Sequence, residues 1–114
     1  GGLFASGSAA VNHRFATLLR RVGEELNTVK GKLLVVGYTD STPIHTLRFP
    51  SNYELSLARA NAVKTFISRI LKTPGRMSAE GRGATDPIAS NATRDGRAEN
   101  RRIDIILIKP GATD

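Results

Sequence analysis

An aspartate, Asp40, follows the valine-rich run from Leu33 to Tyr38, and an arginine, Arg59, falls about two turns past Ser51, where a helix is expected to start. A carboxylate at a strand end and a guanidinium near a helix start can face one cleft. Such a pair suits a zwitterionic ligand, because Asp40 can accept from an ammonium while Arg59 grips a carboxylate bidentately. The free N–H groups and positive dipole end of the helix would add to carboxylate binding. The two residues can instead pair with each other, and spacing alone leans that way, since ion pairs outnumber binding sites.

Other groupings support less chemistry. Asp40, His45 and Ser51 are the residue types of a hydrolytic triad, but they lie on one short loop without a G-x-S-x-G nucleophile elbow. His13 and His45 are far apart and lack a paired ligand spacing, so no metal site is expected. Gly81-Arg82-Gly83 lacks the third glycine and the following helix of a dinucleotide fingerprint, so no cofactor is expected. Arg94, Arg97, Arg101 and Arg102 form a basic cluster interspersed with Asp95, Glu99 and Asp104. That mixture favours arginines tying a turn to nearby carboxylates and carbonyls over a nucleic-acid contact. No enzyme is indicated.

The elements that must position these residues follow from the pattern. Leu3 to Gly7 reads as a short opening strand. From Ala9 to about Thr28, Val11, Phe15, Leu18, Leu19, Val22 and Leu26 trace one helical stripe. Leu33 to Tyr38 suits a strand that is central or covered on both faces. Thr39 to Pro50 has turn chemistry, and Ser51 with Glu54 forms a capping box. The helix it opens is expected to bury Leu55, Ala58, Ala62, Val63, Phe66, Ile67, Ile70 and Leu71 before Thr73-Pro74-Gly75 ends it. A short strand over Met77–Gly81, a polar loop, a helical turn over Asp95–Asn100 and a strand from Arg102 to Ile108 complete the chain before a loose tail at Pro110. The order β-α-β-α-β-β predicts an α+β domain, two-layered, with helices on one face of a mixed sheet.

The chain has 114 residues and 39% hydrophobic content, which fits a single domain spanning 1–114 that can bury one core. Without cysteine it can form no disulfide or thiolate site. Seventeen Lys/Arg against ten Asp/Glu give a formal charge of +7, which favours an anionic partner or a merely solvated basic surface. Aromatics are too few, at 5%, to build a stacking platform for single-stranded nucleic acid. The abrupt opening at Gly1-Gly2-Leu3-Phe4 reads as a domain excised from a longer protein that carries its targeting elsewhere.

Three motifs then carry a family resemblance: Gly37-Tyr38-Thr39-Asp40, the stretch NYELSLARA from Asn52 to Ala60, and Gly96 to Ile103 reading GRAENRRI. In this order and spacing the chain resembles the OmpA-like (OmpA/MotB C-terminal) peptidoglycan-binding domains over essentially its whole length. The resemblance implies non-covalent binding of the wall's stem peptide at its diaminopimelate, whose ammonium and carboxylate are held at Asp40 and Arg59. Asn52 and Leu55 match positions lining that pocket and Thr39 flanks it. Ser56, Asn100, Arg101 and Arg102 are implied to support the site rather than to make the main contact.

Leu3 to Ala9 and the run from Pro43 to Asn52 look more narrowly like the periplasmic extension of type VI secretion TssL (DotU-family) proteins. Flagellar stator MotB proteins share the second pattern. Tyr38 stands where histidine is commoner, and Tyr53 where tryptophan is common. The implied role is a periplasmic module of a bacterial inner-membrane protein, anchoring a secretion complex to peptidoglycan. Its expected partners are the wall and other envelope subunits of that complex, with a homodimer possible. A stator anchor, and a protein-interaction domain that keeps the fold without wall binding, are the alternatives.

Overall fold

In the computed structural model, which describes residues 3–111, the valine-rich run forms the central strand because its side chains find cover on both faces. This strand, β1 (Lys32–Gly37), follows helix α1 (Ala16–Leu26) and precedes α2 (Asn52–Ser68), β2 (Met77–Gly81), α3 (Arg94–Asn100) and β3 (Ile103–Ile108). The sheet order is β2-β1-β3. β1 pairs in parallel with β2, from Leu33 opposite Met77 to Gly37 opposite Gly81. It pairs antiparallel with β3, from Lys32 opposite Ile108 to Gly37 opposite Ile103. The fold is therefore α+β with a mixed sheet.

Alternation along the strands directs Leu33, Val35, Met77, Ala79, Ile103, Ile105 and Leu107 into one core with Leu19 and Val22 of α1 and Ala60, Val63 and Ile67 of α2. Val35, Val63 and Ile67 are fully buried, and each such side chain contributes about 1.5–3 kcal/mol through removal from water. The helices α1 and α2 thus share one face of the sheet, as the pattern predicts.

Glycine sets how closely the layers meet. A Cβ on Gly37 would lie 2.0 Å from the Ser56 carbonyl oxygen, and one on Gly81 would lie 2.6 Å from the Leu57 nitrogen. The first turns of α2 therefore rest directly on the carboxyl ends of β1 and β2. That contact carries the residues just after β1 to the side of the residues opening α2.

Local chemistry fixes the start of α2. The Ser51 hydroxyl accepts from the Tyr53 N–H at 3.2 Å and donates to the Glu54 carboxylate. That bond is the leading reason the Glu54 carboxyl lies below its ordinary pKa. The helix buries Leu55, Val63 and Ile67 as expected, but also Ser56, Arg59 and Ala60. Its predicted apolar stripe misses these because the sheet, α1 and the opening segment surround it on several sides.

Two expectations need correction. Leu3 to Gly7 forms no strand, so the observed order is α-β-α-β-α-β. Phe4 is buried in the core, but Gly7 adopts φ +70° and the Ser8 N–H bonds back to the Ala5 carbonyl at 3.1 Å, which turns the backbone away from any sheet edge. The first helix begins later than Ala9, at Ala16, preceded by a 3-10 turn over His13–Phe15 that the Asn12 side chain caps. The excision read at Gly1-Gly2 and most of the tail expected from Pro110 lie outside the described residues.

Candidate functional site

Where α2 meets the end of β1, a cleft of about 90 Å³ opens to solvent. Its lining includes Thr39, Asp40, Asn52, Leu55 and Arg59, the five ligand positions expected from sequence, together with Arg101 and the loop residues Pro43 and Ile44. Drug-sized ligands occupy pockets of roughly 300–1,000 Å³. This one has room for the end of a side chain or an amino-acid head group.

Asp40 and Arg59 do not pair with each other among the described residues. Asp40 sits at 5% exposure, and its Oδ2 accepts from Arg101 Nη1 at 2.8 Å while Oδ1 accepts from the Thr42 N–H at 2.9 Å. Burial alone would raise this carboxyl's pKa. The hydrogen bonds from Arg101 and Thr42 and the Arg101 charge outweigh it and hold Asp40 below the ordinary value. Thr39 steadies the turn by donating its hydroxyl to the Asp40 carbonyl at 2.8 Å.

Arg59 is fully buried, yet its partners are carbonyls. Nε donates to Ser8 O at 2.8 Å, Nη2 to Ala5 O at 3.0 Å and Nη1 to Tyr38 O at 3.4 Å. The guanidinium carbon lies 5.1 Å from the Phe4 ring centroid, within cation–π range. Burial, then the nearby Arg101 charge, pushes its pKa down to about 10 despite the opposing pull of Asp40. Carbonyl dipoles engage three of its five N–H groups without neutralising its charge. The cleft therefore holds one carboxylate against two guanidiniums.

The residues expected to support the site divide into distinct roles. Arg101 contacts Asp40 directly, at 14% side-chain exposure, and its buried Nε has no hydrogen-bond partner among the described residues. Asn100 is fully buried. Its Oδ1 accepts from the N–H groups of Ile88 and Ala89, and its Nδ2 donates to Ala89 O and Asn91 Oδ1. Asn91 Oδ1 in turn accepts from the Ser41 N–H, so Asn100 braces the loop beside Asp40.

Ser56 lies away from the cleft. Its hydroxyl accepts from the Gly83 N–H at 2.9 Å and ties α2 to the segment after β2. Arg102 stacks 3.8 Å over the Tyr38 ring centroid and pairs with Asp104 at 3.4 Å. The Tyr38 hydroxyl accepts from Arg82, and the ring, just past the end of β1, does not line the cleft. Arg97, bonded to Asn91 O, and Arg102, bonded to Asp86 O, are tied to local carbonyls as the mixed charge pattern suggests.

Asn52 reaches across the cleft rim, donating from Nδ2 to the Thr42 carbonyl at 3.1 Å. Leu55 supplies a buried apolar wall. The arrangement can receive an ammonium at Asp40 and a carboxylate at the guanidiniums, with an aliphatic stem along Leu55.

Sequence and structure comparisons place this geometry. The OmpA family's sequence profile matches residues 3–101. Among solved structures, the cell wall anchor of the T6SS from Pseudomonas aeruginosa is 47% identical with a TM-score of 0.83, over 93% of this chain and 74% of that one. Among curated proteins, the uncharacterized protein YtxE of Bacillus subtilis is 39% identical over 97% of this chain. Motility protein B of the same organism is 31% identical over 97% of it. The chain spans about half the length of these two relatives, at 46% and 43%. With the profile covering nearly the whole chain, and the three motifs assembled around one cleft, the chain belongs to the OmpA family.

Proposed function

We propose that this domain binds peptidoglycan without making or breaking a bond, by seating the free end of diaminopimelate in the cleft between Asp40 and Arg59. The observation that carries the reading is the charge imbalance at the site: a fully buried guanidinium held only by carbonyls, beside an Asp40–Arg101 pair. A buried cation without a neutralising partner is costly, and a ligand carboxylate relieves that cost. Asp40 supplies the matching acceptor for an ammonium.

The similarity to a protein described as a cell wall anchor supports the reading, as does the similarity to a motility protein. On this proposal the domain lies in the periplasm and fastens an inner-membrane type VI secretion complex to the wall, with other envelope subunits of that complex as partners. Among the described residues no helix is long and apolar enough to cross a membrane, so the membrane connection is assigned to other parts of the parent. The 47% identity to the secretion anchor favours that parent over a flagellar one. A homodimer is compatible with the proposal.

Co-sedimentation with purified sacculi tests the reading. Asp40→Asn keeps the side-chain shape and an oxygen for the Thr42 N–H but loses the charge and turns its NH₂ toward Arg101; with its fold verified by circular dichroism, the variant should remain in the supernatant. If it pellets like the parent domain, Asp40 is not the ligand's acceptor. If the parent domain itself stays in the supernatant, wall binding is wrong.

A further inference from the structure

We infer that Arg101 is a direct ligand contact, and that Arg101 and Arg59 together make the cleft selective for a free carboxylate over a carboxamide. The inference rests on the diaminopimelate reading and deepens it, since the distal carboxyl of that residue can exist free or amidated. Its basis is the unequal use of the two guanidiniums.

Arg59 directs Nε, Nη1 and Nη2 at the carbonyls of Ser8, Tyr38 and Ala5, so each of its nitrogens already donates once. Arg101 gives one Nη1 bond to Asp40 and leaves a buried Nε without a partner among the described residues. Three of the five Arg59 N–H groups are spent on carbonyls while Arg101 gives one bond to Asp40, so Arg101 has the greater unspent donor capacity. Its side chain is ordered by Asp40 and borders the same small cleft.

A carboxylate seated between the two guanidiniums would accept from an N–H of Arg101, which lines the cleft, and neutralise the surplus positive charge. The Asp40–Arg101 pair need not break, because each carboxylate oxygen of Asp40 can accept a further bond from an ammonium. A carboxamide of nearly the same shape offers one oxygen acceptor and an NH₂ group. The NH₂ donors would face guanidinium donors, and the surplus charge would remain. Discrimination arises from a donor facing a donor and from an unneutralised buried cation rather than from size.

The experiment is calorimetric titration of the unmodified domain with two soluble stem peptides, identical except that the distal diaminopimelate carboxyl is free in one and amidated in the other. The free-acid peptide should bind more tightly by on the order of ten- to a hundredfold, the range for leaving a buried polar or charged group unsatisfied. Equal affinity for the two peptides would overturn this inference and leave the wall-binding reading standing. Binding of neither would overturn the wall-binding reading itself.

Arg101→Gln, whose amide can still donate to Asp40, should weaken binding of the free-acid peptide by about tenfold or more and bring its affinity close to that for the amidated peptide. Arg101→Lys, which keeps the charge, should restore part of the preference for the free acid. An undiminished preference in Arg101→Gln would remove Arg101 from the contact.

Discussion

Replacing Asn100 by alanine tests how the cleft is held in shape, and the cost can be worked from the bonds it makes. Asn100 is fully buried, and its amide makes four hydrogen bonds, to Ile88 N, Ala89 N, Ala89 O and Asn91 Oδ1, at 2.8 to 3.0 Å. Each contributes about 0.5–1.5 kcal/mol net. Part of the loss is recovered where water reaches this surface loop, in which Ile88 and Ser90 are exposed. The expected destabilisation is about 2–4 kcal/mol.

Urea unfolding followed by far-UV circular dichroism reads this directly, as a lower midpoint at unchanged slope. The change should be accompanied by weaker stem-peptide binding. Asn91 loses its Asn100 bond, and with it the firm placement of the Ser41 N–H beside Asp40. A stability change below about 0.5 kcal/mol, typical of an ordinary surface substitution, would refute the claim that this amide organises the loop.

Three further outcomes follow from the same geometry. Gly37→Ala should cost about 3 kcal/mol or more, because its Cβ would meet the Ser56 backbone oxygen at 2.0 Å and no rotamer can relieve that contact; a thermal midpoint within 2 °C of the parent, expected only for a change well under 1 kcal/mol, would contradict it. Arg59→Lys keeps the charge but loses the fork to Ala5 O and Ser8 O, so it should cost about 1.5–3 kcal/mol and speed amide exchange from Leu3 to Asn12; unaltered exchange there would contradict the tie. Because Asp40 titrates below its ordinary value of 3.8, its contribution to stability and binding is present above that value and fades as pH falls through its lowered one; stem-peptide affinity should therefore be flat from about pH 8 to 5, and a loss already complete at pH 5 would contradict the assignment.

The legible parts of this protein are those written in local pattern. The Val35-Val36 run, the Ser51 cap and the alternation of Ile103, Ile105 and Leu107 each determine their element within a few residues, and the structure has all three. The meeting of Asp40 and Arg59 at one cleft was legible because one strand–loop–helix passage carries both, whereas Thr39, Asn52 and Leu55 were implied by the family resemblance. The opening segment was not. Leu3 and Phe4 have strand composition, but Phe4 enters the core while the carbonyls of Ala5 and Ser8 turn to Arg59.

Nor could the true partners of the two central charges be read from the chain. Asp40 and Arg101 are 61 positions apart, and a single ion pair at that distance leaves no periodic trace. Arg59 is satisfied by backbone carbonyls, which every residue carries, so no complementary residue type betrays the contact. Burial of Arg59 also means that Arg59→Ala would untie the opening segment as well as any ligand. Substitution at Asp40 is the cleaner probe of binding.

The most direct test of the account is titration of the domain with a diaminopimelate-containing stem peptide alongside its lysine-containing analogue. The analogue presents the ammonium to Asp40 but brings no carboxylate to the two guanidiniums. The account predicts saturable binding of the first, abolished by Asp40→Asn, and none of the second at the same concentration. Equal binding of both would reduce the interaction to attraction between a +7 domain and an anionic peptide, and the cleft would lose its assigned role.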